Sequence, residues 1–208
     1  MNDNYTHICL VVDRSGSMFN IVDDMNGAIK QLMEDQAKEP GECKVDIITF
    51  DTDIDVEYED ADPLSVAGNV IKPRGNTALN DAIGFGIVRL GNRFRLMNEE
   101  DRPARVIFVV VTDGMENASR EYTHAQVKRM VEQQTNQWNW TFMYLAANVD
   151  AFATGAGYGF TRGQTIAFAA SGAGTQNVVG ATSANLTRAR KGDYSGYTQD
   201  EREAAEET

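Results

Sequence analysis

Ile8-Cys9-Leu10-Val11-Val12-Asp13-Arg14-Ser15-Gly16-Ser17 is the stretch that decides the fold. A short, almost continuously apolar and β-branched run from His7 to Val12 is what a central strand covered on both faces looks like. It ends on an aspartate and runs into a loop of small oxygen-bearing side chains. In an open α/β sheet, ligands bind beyond the carboxyl ends of the strands, where the strand order reverses, so the chemistry of this chain is to be sought in such loops.

Beyond the loop the apolar spacing changes. Ile21, Met25, Ile29, Leu32 and Met33 recur at intervals of three and four, which predicts a helix ending before Pro40-Gly41. Val45, Ile47, Ile48 and Phe50 read as a second strand. From Asp51 to Glu59, acids and apolar residues alternate with period two, the pattern of an edge strand with one wet face. Asp51, Asp53 and Asp55 are spaced as in an EF-hand loop, but Val56 stands where glycine is needed and Asp62 where a bidentate glutamate is needed. A charged edge that resists strand addition is the better reading. Leu79, Ile83, Ile87, Leu90 and Phe94 predict a helix over Ala78 to Leu96; Val106 to Val111 is another buried strand; Thr123 to Gln134 is a helix followed by a strand from Thr141 to Ala146. A short helix around Ala151, a weak strand near Gln164 to Phe168 and a last helix from about Thr175 to Ala189 complete the pattern.

Strands alternating with helices imply right-handed crossovers. The expected fold is α/β: a doubly wound, mostly parallel six-stranded sheet with one antiparallel edge strand and helices on both faces. Residues 1–190 are expected to form a single domain and residues 191–208 an acidic C-terminal tail, because Asp200-Glu201-Arg202-Glu203 and Ala204-Ala205-Glu206-Glu207 carry too little apolar content to pack independently. A length of 208 residues suits one core and would cramp two.

The formal net charge of −12 repels phosphate backbones and anionic lipid, which argues against nucleic-acid and membrane partners. The only candidate targeting segment, Ile8 to Val12, is too short for a signal-peptide core and runs straight into Asp13, so a cytoplasmic location is expected. Cys9 and Cys43 are too few for a disulfide scaffold and have no neighbours spaced for zinc; both read as plain buried or half-buried thiols.

Three segments present short oxygen donors where a strand ends or a helix begins: Asp13-Arg14-Ser15-Gly16-Ser17, Gly75-Asn76-Thr77 and Thr112-Asp113-Gly114. If the strands before Asp13 and Asp113 are neighbours, the two carboxylates meet at one sheet edge and repel. A hard cation removes that repulsion, and a set of hydroxyls, carboxylates and water suits magnesium or manganese better than zinc. In this order and context the segments resemble the metal-ion-dependent adhesion site (MIDAS) of von Willebrand factor A domains, with all five of its positions, Asp13, Ser15, Ser17, Thr77 and Asp113, filled by the expected residue types. The likeness extends from about Tyr5 to Arg190. It implies that the two serines coordinate directly, that Thr77 does so directly or through water, and that the aspartates act largely through waters, while an Asp or Glu carboxylate from a partner protein fills the open position. The chain also looks like the stand-alone cytosolic bacterial or phage members, mostly adaptors, often for ATPases or stress-response systems. A metal-dependent protein-binding module, a monomer or weak oligomer with no enzymatic activity, is the function this implies.

Two other functions compete. A metal-dependent phosphohydrolase could use Asp13 as nucleophile, but such chemistry usually wants a second carboxylate two residues on, where Ser15 stands. A metal-independent structural subunit could make its contacts through the acidic edge and tail. Around the loops, Arg14 is balanced between pairing with a carboxylate and steering an acidic partner. Asp81 reads as a first-turn acid favoured by the helix dipole, with a place behind the metal ligands as the alternative, and Glu116 and Asn117 as a solvated loop, with rimming the metal or contacting a partner as theirs. His7 and His124 stand isolated and read as structural or surface residues. Gly155-Ala156-Gly157-Tyr158-Gly159 is better taken as a helix stop than as a dinucleotide loop, since it follows a helix.

Overall fold

In the computed structural model, which describes residues 1–147 and 150–207, strand β1 (Asn2–Asp13) is buried without interruption from Tyr5 to Asp13. Its side chains alternate between two cores. Ile8, Leu10 and Val12 point into one, Cys9 and Val11 into the other, and this division is why the run has to be apolar throughout. Five further strands complete the sheet: β2 (Glu42–Phe50), β3 (Ile54–Ala61), β4 (Pro103–Thr112), β5 (Thr141–Ala146) and β6 (Thr165–Ala167). Their order is β3-β2-β1-β4-β5-β6, all parallel except β3, which runs antiparallel at the edge.

Helices cover both faces. α1 (Val22–Lys38) and α5 (Gly172–Arg190) pack through Met25, Ile29, Leu32, Val178 and Leu186 on the face of Ile8 and Leu10. α2 (Leu79–Leu96), α3 (His124–Trp138) and the short α4 (Ala151–Gly157) cover the other through Ile83, Ile87, Leu90, Val127, Val131 and Ala151. The expected six-stranded, mostly parallel fold is therefore the one formed. Among the described residues, no helix is long and apolar enough to cross a membrane. Because the chain builds outward from β1 through β2 to β3 and then crosses to β4 on the other flank, the order reverses between β1 and β4. The tips of those two strands carry Asp13 and Thr112, with Asp113 the next residue.

The wet edge begins later than the alternation suggested. β3 starts at Ile54 and does alternate, but Asp51 lies in the preceding turn and is buried. Its carboxylate accepts from Arg14 Nε at 3.1 Å and Arg74 Nε at 2.6 Å, so it belongs to an internal ion pair and not to a solvated edge.

Within the acidic stretch beyond Lys191 the chain forms a helix that periodicity does not reveal, α6 (Gln199–Glu206). It borrows its core from the domain. Ala205 and Tyr197 are buried, Arg188 of α5 grips the Glu201 carboxylate with two hydrogen bonds of 2.8 Å, and Arg202 donates to the carbonyls of Thr165, Arg162 and Gly163. One local signal was present, the capping box in which Thr198 and Glu201 satisfy each other's backbone N–H groups. Ala205→Asp would bury a carboxylate with no partner. It is expected to detach α6 and to lower stability by about 1–3 kcal/mol, read as new protease cleavage confined to residues 192–207 and a lower urea midpoint.

Candidate metal centre

Asp13 ends β1 and points inward. Its Oδ1 accepts the Ser15 backbone N–H at 2.7 Å and its Oδ2 accepts the Thr112 hydroxyl at 2.6 Å, so the carboxylate draws the serine loop back over the strand tip and ties it to β4. Ser15 Oγ then lies 3.0 Å from Ser17 Oγ, and the Ser17 hydroxyl donates to Asp113 Oδ1 at 2.5 Å. Gly114 leaves the space these groups share. A side-chain carbon added there would stand 3.4 Å from Thr77 Oγ1 and 3.6 Å from Ser17 Oγ, so both hydroxyls border the same point. All five residues expected to form a site thus gather at the β1–β4 tips from three separate segments.

Thr77 reaches this place through backbone stitching. The Arg74 N–H donates to the Arg14 carbonyl at 2.8 Å, the Gly16 N–H to the Gly75 carbonyl at 3.3 Å and the Ala78 N–H to the Asp51 carbonyl at 2.8 Å. Gly75 adopts φ +64°, a left-handed conformation that favours glycine. The loop after β4 then clamps Thr77 from the far side: Asn117 Oδ1 accepts the Thr77 N–H at 2.9 Å, and the Thr77 carbonyl accepts the N–H groups of Asn117 at 3.0 Å and Ala118 at 3.2 Å. The N-cap position of α2 is held by Ala78.

The structure corrects several readings here. Asn117 is exposed and Glu116 half-buried, as the solvated-loop reading has it, but both side chains are also tied down. The Glu116 carboxylate accepts the N–H groups of Asn80, Ala118 and Ser119 and the Ser119 hydroxyl, all within 2.9 Å, so it caps α2 from another part of the chain. Asp81, placed by sequence in the first turn of α2, receives the N–H groups of Arg120, Glu121 and Tyr122 within 2.9 Å. Two carboxylates therefore fasten the β4–α3 loop to α2, and one amide fastens it to Thr77 just before that helix. Arg14 resolves toward pairing: it is buried, bonded to Asp51 and Thr49 and 2.6 Å from Asp55.

His7 is buried between Tyr5 and Asp46 and is structural, whereas His124 is a surface residue whose ring centroid lies 4.3 Å from that of Tyr158. Cys9 is a buried and Cys43 a half-buried free thiol. Gly159, at φ +88°, ends the turn after α4 as a helix stop.

Burial pushes the Asp13 carboxyl up to about 6, against the hydrogen bonds from Thr112 and Ser15, and neighbouring Asp113 adds to the rise. Burial likewise raises Asp113, against its bond from Ser17. Two buried acids at one point, with no lysine or arginine paired to either among the described residues, is an arrangement that a cation relieves. The donor spacing fits: bonds of about 2.1 Å at right angles put adjacent oxygens of a magnesium octahedron about 3.0 Å apart, and the two serine hydroxyls stand 3.0 Å apart. Among the described residues no three His, Cys, Asp or Glu side chains converge as metal ligands, so a cation here would depend on hydroxyls. Such a donor set is hard and oxygen-only.

The profile of the von Willebrand factor type A domain matches residues 7–186. No curated protein sequence is matched significantly. Among solved structures, proximal thread matrix protein 1 from the mussel byssus superposes with a TM-score of 0.61 at 12% identity, over 88% of this chain and 46% of its own. A second structure of that protein, with a zinc occupied MIDAS motif, gives 0.60. The manganese-loaded TRAP protein of Plasmodium vivax gives 0.58 at 14% identity, over 76% and 64%. A von Willebrand factor type A protein from Catenulispora acidiphila gives 0.58 at 11%, over 88% and 42%. The chain spans less than two thirds of each of these chains, and at such identities the likeness is one of fold.

Proposed function

The chain belongs to the von Willebrand factor type A domain family, and from that premise we propose that it is a metal-dependent protein-binding module, not an enzyme, that captures a carboxylate of a partner protein. The reading rests on one observation, the convergence of three hydroxyls and two carboxylates at the β1–β4 tips, with Ser15 and Ser17 spaced as adjacent ligands of a small divalent ion. Ser15, Ser17 and Thr77 would hold magnesium or manganese, and Asp13 and Asp113 would act mainly through its waters. The ion would supply the positive charge that a chain of net charge −12 needs to attract an Asp or Glu side chain.

Asp13 supports this role over that of a nucleophile. Both of its oxygens are turned inward and occupied, and Ser15 stands where a general acid would be needed. Two free thiols suit a reducing cytoplasm, the setting of a stand-alone bacterial or phage adaptor.

Titration calorimetry with magnesium and with manganese tests the proposal. Saturable binding of one ion is expected, and absence of binding at millimolar metal would sink the reading. Asn117→Ala sharpens the test. Removing the acceptor that holds the Thr77 N–H is expected to weaken metal binding about 10- to 100-fold, the usual effect of losing a group that orients a ligand, without a change in the far-ultraviolet circular dichroism.

A further inference from the structure

We propose, resting on the metal-binding reading above, that the site recognises not a bare carboxylate but an acid flanked by large apolar side chains two residues before and two residues after it, with Phe19 and Met115 as the walls that receive them. Access to the site is narrow. Asp13, Ser15, Thr77 and Asp113 are buried, Gly16 and Ser17 are exposed and Gly114 is half-buried, so a visitor arrives over Ser17 and Gly114. The two loops that meet there each carry an exposed large apolar residue. Phe19, 72% exposed, follows Ser17 by two residues; Met115, 71% exposed, follows Asp113 by two. Two residues of chain reach at most about 7 Å, and Ser17 and Asp113 are themselves joined by a 2.5 Å hydrogen bond.

Neither side chain is loose on a mobile backbone. Phe19 rides on the 3-10 turn Gly16–Ile21, anchored by the fully buried Met18 and Ile21, which leaves Phe19 on the outer side. Met115 sits between Gly114 and Glu116, whose carboxylate is fixed by four hydrogen bonds. An exposed phenylalanine alone needs no explanation, but two large apolar groups, each two residues from a member of one buried, charged donor set, put apolar surface next to a polar point. Phenylalanine offers a broad rigid surface and methionine an adaptable one.

The geometry names the ligand positions. In an extended segment, side chains two residues apart lie on the same face about 7 Å apart. With a Glu directed at the site, the residues two before and two after it fall within reach of Phe19 and Met115, while its immediate neighbours face away.

An array of short synthetic peptides tests this. Each carries a central Glu in a serine background, with Ser, Lys, Asp, Leu or Phe at the second position on either side or at the adjacent positions, and parallel copies carry a central Gln. Fluorescently labelled full chain is applied with magnesium or with EDTA. Leu or Phe at the second positions is expected to raise Glu- and magnesium-dependent capture at least about tenfold over Ser, which is the effect of covering one large apolar side chain. The Phe19→Ser, Met115→Ser double variant is expected to lose that preference while binding magnesium, by calorimetry, as the wild type does. Glu- and magnesium-dependent capture that ignores the flanks overturns the inference and leaves the carboxylate reading standing. Capture that survives EDTA or Gln, or no capture above the Gln background, overturns both.

Discussion

Asp13→Asn is expected to abolish the thermal stabilisation that magnesium or manganese confers on the wild-type chain while leaving the fold intact. The substitution keeps an acceptor for the Ser15 N–H, and the new amide can face Thr112, whose hydroxyl can turn to donate to the Gly114 carbonyl 3.2 Å away. What disappears is a buried negative charge beside Asp113. Without metal the variant should therefore be no less stable than the wild type at neutral pH, since that charge is held unfavourably by burial. With metal at one hundred times the dissociation constant, the wild type gains about 2.7 kcal/mol, a rise of about 5–10 °C in Tm for a chain of this size. The variant gains none. Differential scanning calorimetry with magnesium, manganese or EDTA decides it, and an equal rise in both proteins would remove Asp13 from the site.

Arg93→Ala is expected to destabilise the domain by about 2–4 kcal/mol, the effect of removing a half-buried arginine that is the main partner of a buried carboxylate, with Arg89 3.9 Å away left as a weaker one. Asp46, on β2, is fully buried on the face that α2 covers. Arg93 forks onto it at 2.7 and 2.8 Å, His7 Nε2 lies at 3.1 Å and the Asp60 N–H donates at 2.8 Å. Burial by itself would push the Asp46 carboxyl up, but its partners His7, Arg93 and the Asp60 N–H together hold it well below the usual carboxylate range. A lowered folded-state value means that below about pH 4 the unfolded chain takes up a proton at Asp46 that the folded chain refuses, so this contribution is present at neutral pH and lost as pH falls. Without Arg93 the carboxyl accepts that proton while still folded. The gap between variant and wild type should thus be widest near pH 7 and narrow below about pH 4 in urea unfolding. A gap under about 1 kcal/mol, or one that does not change with pH, would show that Asp46 is held by its other partners.

Much of the architecture is legible along the chain because it rests on local spacing. The helices through Met25 and Ile29 and through Ile83 and Ile87, and the strands at Val45 and Val106, repeat at the periods their packing demands. The five candidate donors were legible too, because each stands where an apolar strand stops or a helix begins. The edge strand was placed three residues early, since Asp51 keeps the alternating pattern while being turned inward by two arginines.

Sequence alone determined the fold class and pointed to the strand tips and to Asp13, Ser15, Ser17, Thr77 and Asp113 as candidate donors. Only the tertiary structure decided what holds them in place: Asn117 on the Thr77 backbone, Glu116 and Asp81 fastening the β4–α3 loop to α2, Arg14 turned into an ion pair, and α6 resting on α5. The reason is physical. Burial of an apolar face imposes a period on neighbouring residues, whereas a carboxylate or amide that binds backbone N–H groups about forty residues away leaves no periodic trace, and its partner is set by which strands become neighbours.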